Sequence, residues 1–79
     1  MTDDHKIIGK NVEEQRLKKG MKRWEVVRLL EISLPEYTQI ERGAEDFTIN
    51  DVAELAKVLR VHPYVLYKGA IELEPLKGS

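Results

Sequence analysis

Seventy-nine residues are enough for one small domain with a modest core, and leave no room for a second, catalytic domain. The absence of cysteine excludes disulfides and thiolate metal sites and leaves packing or association to stabilise the chain, which suits a reducing cytoplasm. A formal net charge of -1 and a pI of about 6.1 exclude a uniformly basic surface but not a local one: residues 1–30 hold eight Lys or Arg against five Asp or Glu, and residues 31–79 hold five against nine.

The start, MTDDHK, is acidic and polar, and residues 1–6 read as a flexible lead-in. No apolar run approaches the roughly 18 residues of a spanning helix, so no membrane association is expected. A first helix over residues 7–19 places Ile8, Val12 and Gln15 on one stripe with Leu17 close by. Lys18 and Lys19 suit its C-terminus, and Gly20 caps it. A second helix, 22–30, follows Met21 and repeats Val26, Val27 and Leu30 at core spacing. Its first residues, Lys22 and Arg23, carry the wrong charge for a helix N-terminus, a departure that often marks a site kept for another purpose.

The third helix opens on Ser33 as N-cap, with Leu34 and Pro35 in its first turn and Glu36 completing a capping box. Tyr37, Ile40 and Glu41 face inward and Gly43 closes it. The fourth, 48–59, has Thr48 as cap, Asp51 three residues on, and a stripe of Val52, Leu55, Ala56 and Leu59. His62 and Pro63 are the N-cap and first residue of a short last helix ending at Lys68 before Gly69. Residues 7–68 thus form one all-α domain of five helices. In the tail, 69–79, apolar and acidic residues alternate up to Pro75, as in a flexible segment or an arm that pairs with a partner.

His5 and His62 have no second ligand at metal spacing, and neither serine has a histidine in a nucleophile arrangement. No metal, cofactor or enzymatic activity is expected.

Two or three residues between the second and third helices suit a helix-turn-helix on spacing alone. The segments IGKNVEEQRLKKGM, VVRLLEIS, YTQIERG and TINDVAELAKVLRVHPYVLY then go further: from Ile8 to about Tyr67, some three quarters of the chain, the sequence resembles the phage repressor and Cro-like (Xre-type) helix-turn-helix family. The strongest elements are Arg16-Leu17-x-x-Gly20-Met21, Ile40-Glu41-Arg42-Gly43 and Leu55-Ala56-Lys57-x-Leu59-x-Val61.

The resemblance implies a five-helix, lambda-repressor-like domain whose third helix enters the major groove of double-stranded DNA, in a transcriptional repressor acting as a homodimer on a two-fold site. It places base reading on Leu34, Pro35, Glu36 and Gln39, with Thr38 at the side. A Gln39 carboxamide suits adenine, Glu36 suits cytosine N4, and Leu34 suits a thymine methyl. Each has a second reading: Gln39 as solvated surface, Glu36 as capping partner of Ser33 alone, Leu34 as a contact for a protein. Phosphate contacts fall on Lys19, Lys22, Arg23, Arg28 and Arg42, with Lys18 nearby, and replacing both Lys22 and Arg23 by Glu is expected to abolish DNA binding with little loss of fold. Arg16 and Glu41 correspond to the family's partly buried structural ion pair.

Several positions depart from the family. Glu31 stands at the turn where a left-handed Gly is usual, so slight strain is expected there. Glu45 and Asp46 would repel phosphate from the loop after the third helix. Trp24 either packs partly across the first helix or lies near the DNA backbone or a protein interface. Tyr64, Tyr67, Ile71 and Leu73, with Val65 and Leu76, are the candidates for a dimer surface. Two other functions remain compatible with these residues: a protein-interaction module on the same fold, and an antitoxin that binds a toxin and represses its own promoter.

Overall fold

The computed structural model describes residues 4–44 and 47–70. These form α1 (Asp4–Lys18), α2 (Arg23–Leu30), α3 (Leu34–Glu41), α4 (Ile49–Leu59) and α5 (Pro63–Tyr67), with no strand among the described residues. The all-α, five-helix expectation holds. Helix α1 begins at Asp4, inside the stretch expected to be a flexible lead-in. The cause is tertiary, and periodicity could not show it: the His5 ring packs edge-on against Phe47, with centroids 4.6 Å apart. Asp4 also sets a negative charge in the first turn. Glu45, Asp46 and the tail from Ile71 onward, including Leu73 and Leu76, lie outside the described residues.

Helix α1 rests on α3 and α5, α2 rests on α3 and α4, and α4 closes on α5. The core between them takes Ile8 and Val12 from α1, Val26 from α2, Tyr37 and Ile40 from α3, and Val52, Leu55, Ala56 and Leu59 from α4. Leu66 from α5 and Phe47 and Ala70 from the connections complete it. The α4 stripe is the one expected from its spacing. Two expectations need adjusting: Leu17 projects into solvent, because the inward step after Val12 is taken by Arg16, and Val27 and Leu30 only border the core. Burial of each large aliphatic side chain contributes about 1.5–3 kcal/mol, so a core of this size leaves little margin.

Side chains close the helix starts. The Ser33 hydroxyl accepts from the Glu36 N–H at 3.2 Å while the Glu36 carboxylate accepts from the Ser33 N–H at 3.1 Å. Thr48 and Asp51 repeat the arrangement at α4. At α5 the Tyr64 N–H donates to His62 Nδ1 at 3.0 Å, the expected cap. Lys22 has no side-chain acceptor to offer α2, but the Glu25 carboxylate takes the Lys22 N–H at 2.7 Å. Asn11 of α1 binds the last helix, its Nδ2 donating to the carbonyls of Leu66 and Lys68 at 2.9 and 2.8 Å. Nothing in the local sequence signals that contact, which spans more than fifty residues.

The α2–α3 turn is made as expected, at the expected cost. Glu31 adopts φ 61°, ψ 40°, and its N–H donates to the Val27 carbonyl at 2.8 Å. The left-handed region costs an L-residue roughly 1 kcal/mol or more, and a carboxylate at a helix C-terminus also opposes the macrodipole. A second constraint comes from Gly9, in the middle of α1. A glycine there sacrifices about 1 kcal/mol of helix propensity, yet a Cβ at this position would overlap the carbonyl oxygens of Ile40 and Glu41, the latter at 2.7 Å. Glycine is what lets the end of α3 reach the α1 backbone.

Two stability measurements check these readings by urea unfolding. Glu31→Gly should raise the unfolding free energy by up to about 1 kcal/mol, and Gly9→Ala should lower it by about 1–3 kcal/mol despite alanine's better helix propensity. Equal or higher stability of the Gly9→Ala protein would show that α1 and α3 can separate freely.

Candidate nucleic-acid interface

Helix α3 is held by its last residue. The Glu41 carboxylate is 2 % exposed and receives donors from three helices. Arg16 Nε of α1 donates to Oε2 at 2.7 Å, Arg23 Nε of α2 donates to Oε1 at 2.9 Å, and the Tyr37 hydroxyl, one turn back on α3, also donates to Oε2. Arg16 Nη1 further donates to the Met21 carbonyl at 3.0 Å, which ties down the loop ahead of α2. Burial alone would raise the Glu41 carboxyl, but the hydrogen bonds from Arg16, Tyr37 and Arg23 outweigh it and hold the group below the ordinary value of 4.5. The Tyr37 hydroxyl is pushed well up, by burial first and by its bond to Glu41 second.

The Arg16–Glu41 pair is the one that the resemblance implied. Tyr37 and Arg23 were not foreseen as members. The i,i+4 spacing of Tyr37 and Glu41 carried the signal for the first. Arg23 was read as a solvent-facing phosphate contact, so its bond to Glu41 corrects the expectation that Lys22 and Arg23 can both be reversed without loss of fold. A carboxylate at position 23 would sit beside a buried carboxylate.

Along α3, Leu34, Pro35, Glu36 and Gln39 are exposed and Thr38 is half-buried. Leu34, 47 % exposed at the first helical position, is a large apolar group left open at the helix start. The Glu36 carboxylate is engaged by Ser33, accepting from both its N–H and its hydroxyl. Gln39 lines an open groove of about 180 Å³ with Ile32, Glu36, Ile40, Phe47 and Asp51. The outward chemistry of α3 therefore narrows to Leu34 and Gln39, with Thr38 at the flank.

The bond from Arg23 to Glu41 brings the basic start of α2 to the C-terminal end of α3. Lys19 and Lys22 are exposed in the loop into α2, and Arg42, exposed, caps α3. Lys19 and Lys22 precede Arg23 and Arg42 follows Glu41, so three exposed cations flank the Arg23–Glu41 bond along the chain. Arg28 does not join them: five residues after Arg23 it is turned about 140° around α2. It shares its side of α2 with Trp24, which is 53 % exposed, so the expected packing of Trp24 across α1 is at most partial. Of the dimer candidates, Tyr64 is 68 % exposed, whereas Tyr67 lies half-buried against the core, which raises its hydroxyl pKa. Among the described residues no group of three or more His, Asp or Glu could hold a metal ion, and no helix is long and apolar enough to cross a membrane.

The carboxylate hub predicts a particular pH dependence. Because the folded state depresses the Glu41 carboxyl, its contribution is present above the ordinary value of 4.5 and lost as pH falls towards the folded value. Because the folded state raises the Tyr37 hydroxyl, its contribution is full below the ordinary value of 10.0 and lost as pH rises above it. Glu41→Gln should destabilise by about 3–5 kcal/mol and flatten the acid limb, and Tyr37→Phe should flatten the alkaline limb. Chemical unfolding from pH 3 to 11 reads both, and an unchanged acid limb in Glu41→Gln would remove Glu41 from this role.

No model of a known protein family matches the chain, and no curated protein does. Among solved structures it is similar to the restriction-modification controller protein C.AhdI from Aeromonas hydrophila, with a TM-score of 0.76 and 23% identity over 84% of this chain and 100% of that one. The likeness establishes a shared fold: the five helices of this chain are arranged as in that controller protein, with α2 and α3 joined by a short turn.

Proposed function

We propose that the protein is a sequence-specific DNA-binding transcriptional regulator that inserts α3 into the major groove. The observation that carries this reading is an exposed α3 face, bearing Leu34 and Gln39, on a helix whose last residue binds the partly exposed Arg23 that begins α2, with exposed Lys19, Lys22 and Arg42 close by along the chain. Phosphate contacts supply affinity and register, and base-edge contacts supply sequence preference. Gln39 reads adenine through its carboxamide, Leu34 contacts a thymine methyl, and Thr38 adds at most a flanking contact. Glu36 serves chiefly as the cap of α3. The likeness to a restriction-modification controller protein supports a regulatory role.

Two outward readers on a single α3 give little discrimination, so binding is by a homodimer on a two-fold site, with exposed Tyr64 on α5 at the dimer surface. The protein acts in the cytoplasm, where DNA and a reducing environment coincide.

Selection from a random duplex pool at moderate salt tests the function. A two-fold enriched motif is expected, and its spacing gives the half-site separation. No enrichment by folded protein would overturn the reading in favour of a protein-interaction module, with the exposed Trp24 and Leu34 as its contact groups. On the selected site, Lys19→Glu with Lys22→Glu should weaken binding at least tenfold while leaving the melting temperature nearly unchanged, since neither side chain joins the Glu41 hub. Gln39→Ala should relax preference at one base pair by about 1–3 kcal/mol with non-specific affinity retained.

A further inference from the structure

Arg23 is bound at one end and open at the other. Its Nε is committed to Glu41 Oε1 at 2.9 Å, while its side chain is 43 % exposed, which leaves the end of the guanidinium accessible. The nearest acid to that open end is Glu13 of α1, whose Oε2 lies 3.7 Å from Arg23 Nη2 with the side chain 41 % exposed. At that separation the pair is an ion pair without a hydrogen bond. Glu41 accepts from Arg16, Tyr37 and Arg23, and among the described residues Glu13 is the second carboxylate within ion-pair distance of Arg23.

We propose that Glu13 is an internal competitor for DNA phosphate: it occupies the terminal end of the Arg23 guanidinium in the free protein, and a backbone phosphate displaces it on binding. This rests on the DNA-binding reading above and adds its regulation. A phosphate can take the two terminal nitrogens of a guanidinium with directed, charge-assisted bonds, which the offset Glu13 carboxylate does not make. Nε stays on Glu41 throughout, so the arginine is held in place by the hub and only its outer partner changes. The exchange swaps one anion for another and keeps the cluster balanced. Part of each Arg23–phosphate contact is thereby spent on releasing Glu13, which sets DNA affinity below what the basic cluster would otherwise give.

Binding of a fluorescent duplex at about 0.1 M salt, by the full chain and its variants, tests the proposal. Glu13→Gln should tighten binding by about two- to fivefold, the range of an exposed ion pair, while leaving the melting temperature equal or slightly lower. A purely structural role for Glu13 would weaken both. Glu13→Asp keeps the charge but draws it back by one methylene, so direct competition predicts tighter binding here too, whereas a general field effect predicts none. In an Arg23→Gln background the Glu13→Gln gain should vanish. Unchanged affinity of Glu13→Gln, or an equal gain with and without Arg23, overturns the competitor role while leaving DNA binding intact. No DNA binding by the native protein overturns both.

Discussion

The arrangement of α1, α2 and α3 depends on one buried carboxylate. Glu41 gathers Arg16, Arg23 and Tyr37, and through them fixes α1, α2 and α3 against one another at a single point. A carboxylate this deeply buried is tolerable only when its lone pairs are met, and here both oxygens are. The apolar core sets how closely the helices approach, but it is indifferent to small rotations. Directed bonds from two guanidinium groups are not, and they fix how α2 crosses α3, which is what a docking surface made from both helices requires.

That solution has a consequence for the surface. In so short a chain, some residues that hold the fold also lie on the exposed surface. Arg23 is at once a fold contact through Nε and an outward cation through its terminal nitrogens. Glu36 lies on the exposed face of α3, yet its carboxylate closes the helix start. Lys22 stands where a capping side chain would serve α2 better, and Glu25 supplies from inside the helix the bond to the Lys22 N–H. The local rules broken around residues 22 and 23 are compensated nearby, and the charge they leave is directed outward.

How far the sequence could be read follows from the range of each interaction. Helices and caps are local, and Ser33 with Glu36, Thr48 with Asp51 and His62 before Pro63 were legible from spacing within one turn. The α4 stripe was legible because its amphipathic pattern is clean. The Arg16–Glu41 pair lies 25 residues apart and was legible only through family resemblance. What stayed hidden was long-range and specific to this chain: the packing of His5 on Phe47 that extends α1, the grip of Asn11 on the end of α5, and the turn of Arg23 towards Glu41. A periodic pattern says which face is inward. It does not say which cation on a neighbouring helix will lean back to share a buried anion.

The division between gripping and reading follows from the same geometry. On the proposed reading the grip is supplied by Lys19, Lys22, Arg23 and Arg42, whereas the outward groups of α3 able to distinguish bases reduce to Gln39 and Leu34, with Thr38 half-buried beside them. A bidentate base contact discriminates by about 1–3 kcal/mol, so one α3 alone separates a preferred site from random sequence by a few powers of ten at most. Phosphate affinity is shared by every sequence and adds nothing to that ratio. On the DNA-binding reading proposed above, selectivity would come by repetition rather than by elaborating α3: a second copy on a two-fold site would square the discrimination, and its spacing would add a geometric condition that no single helix can impose.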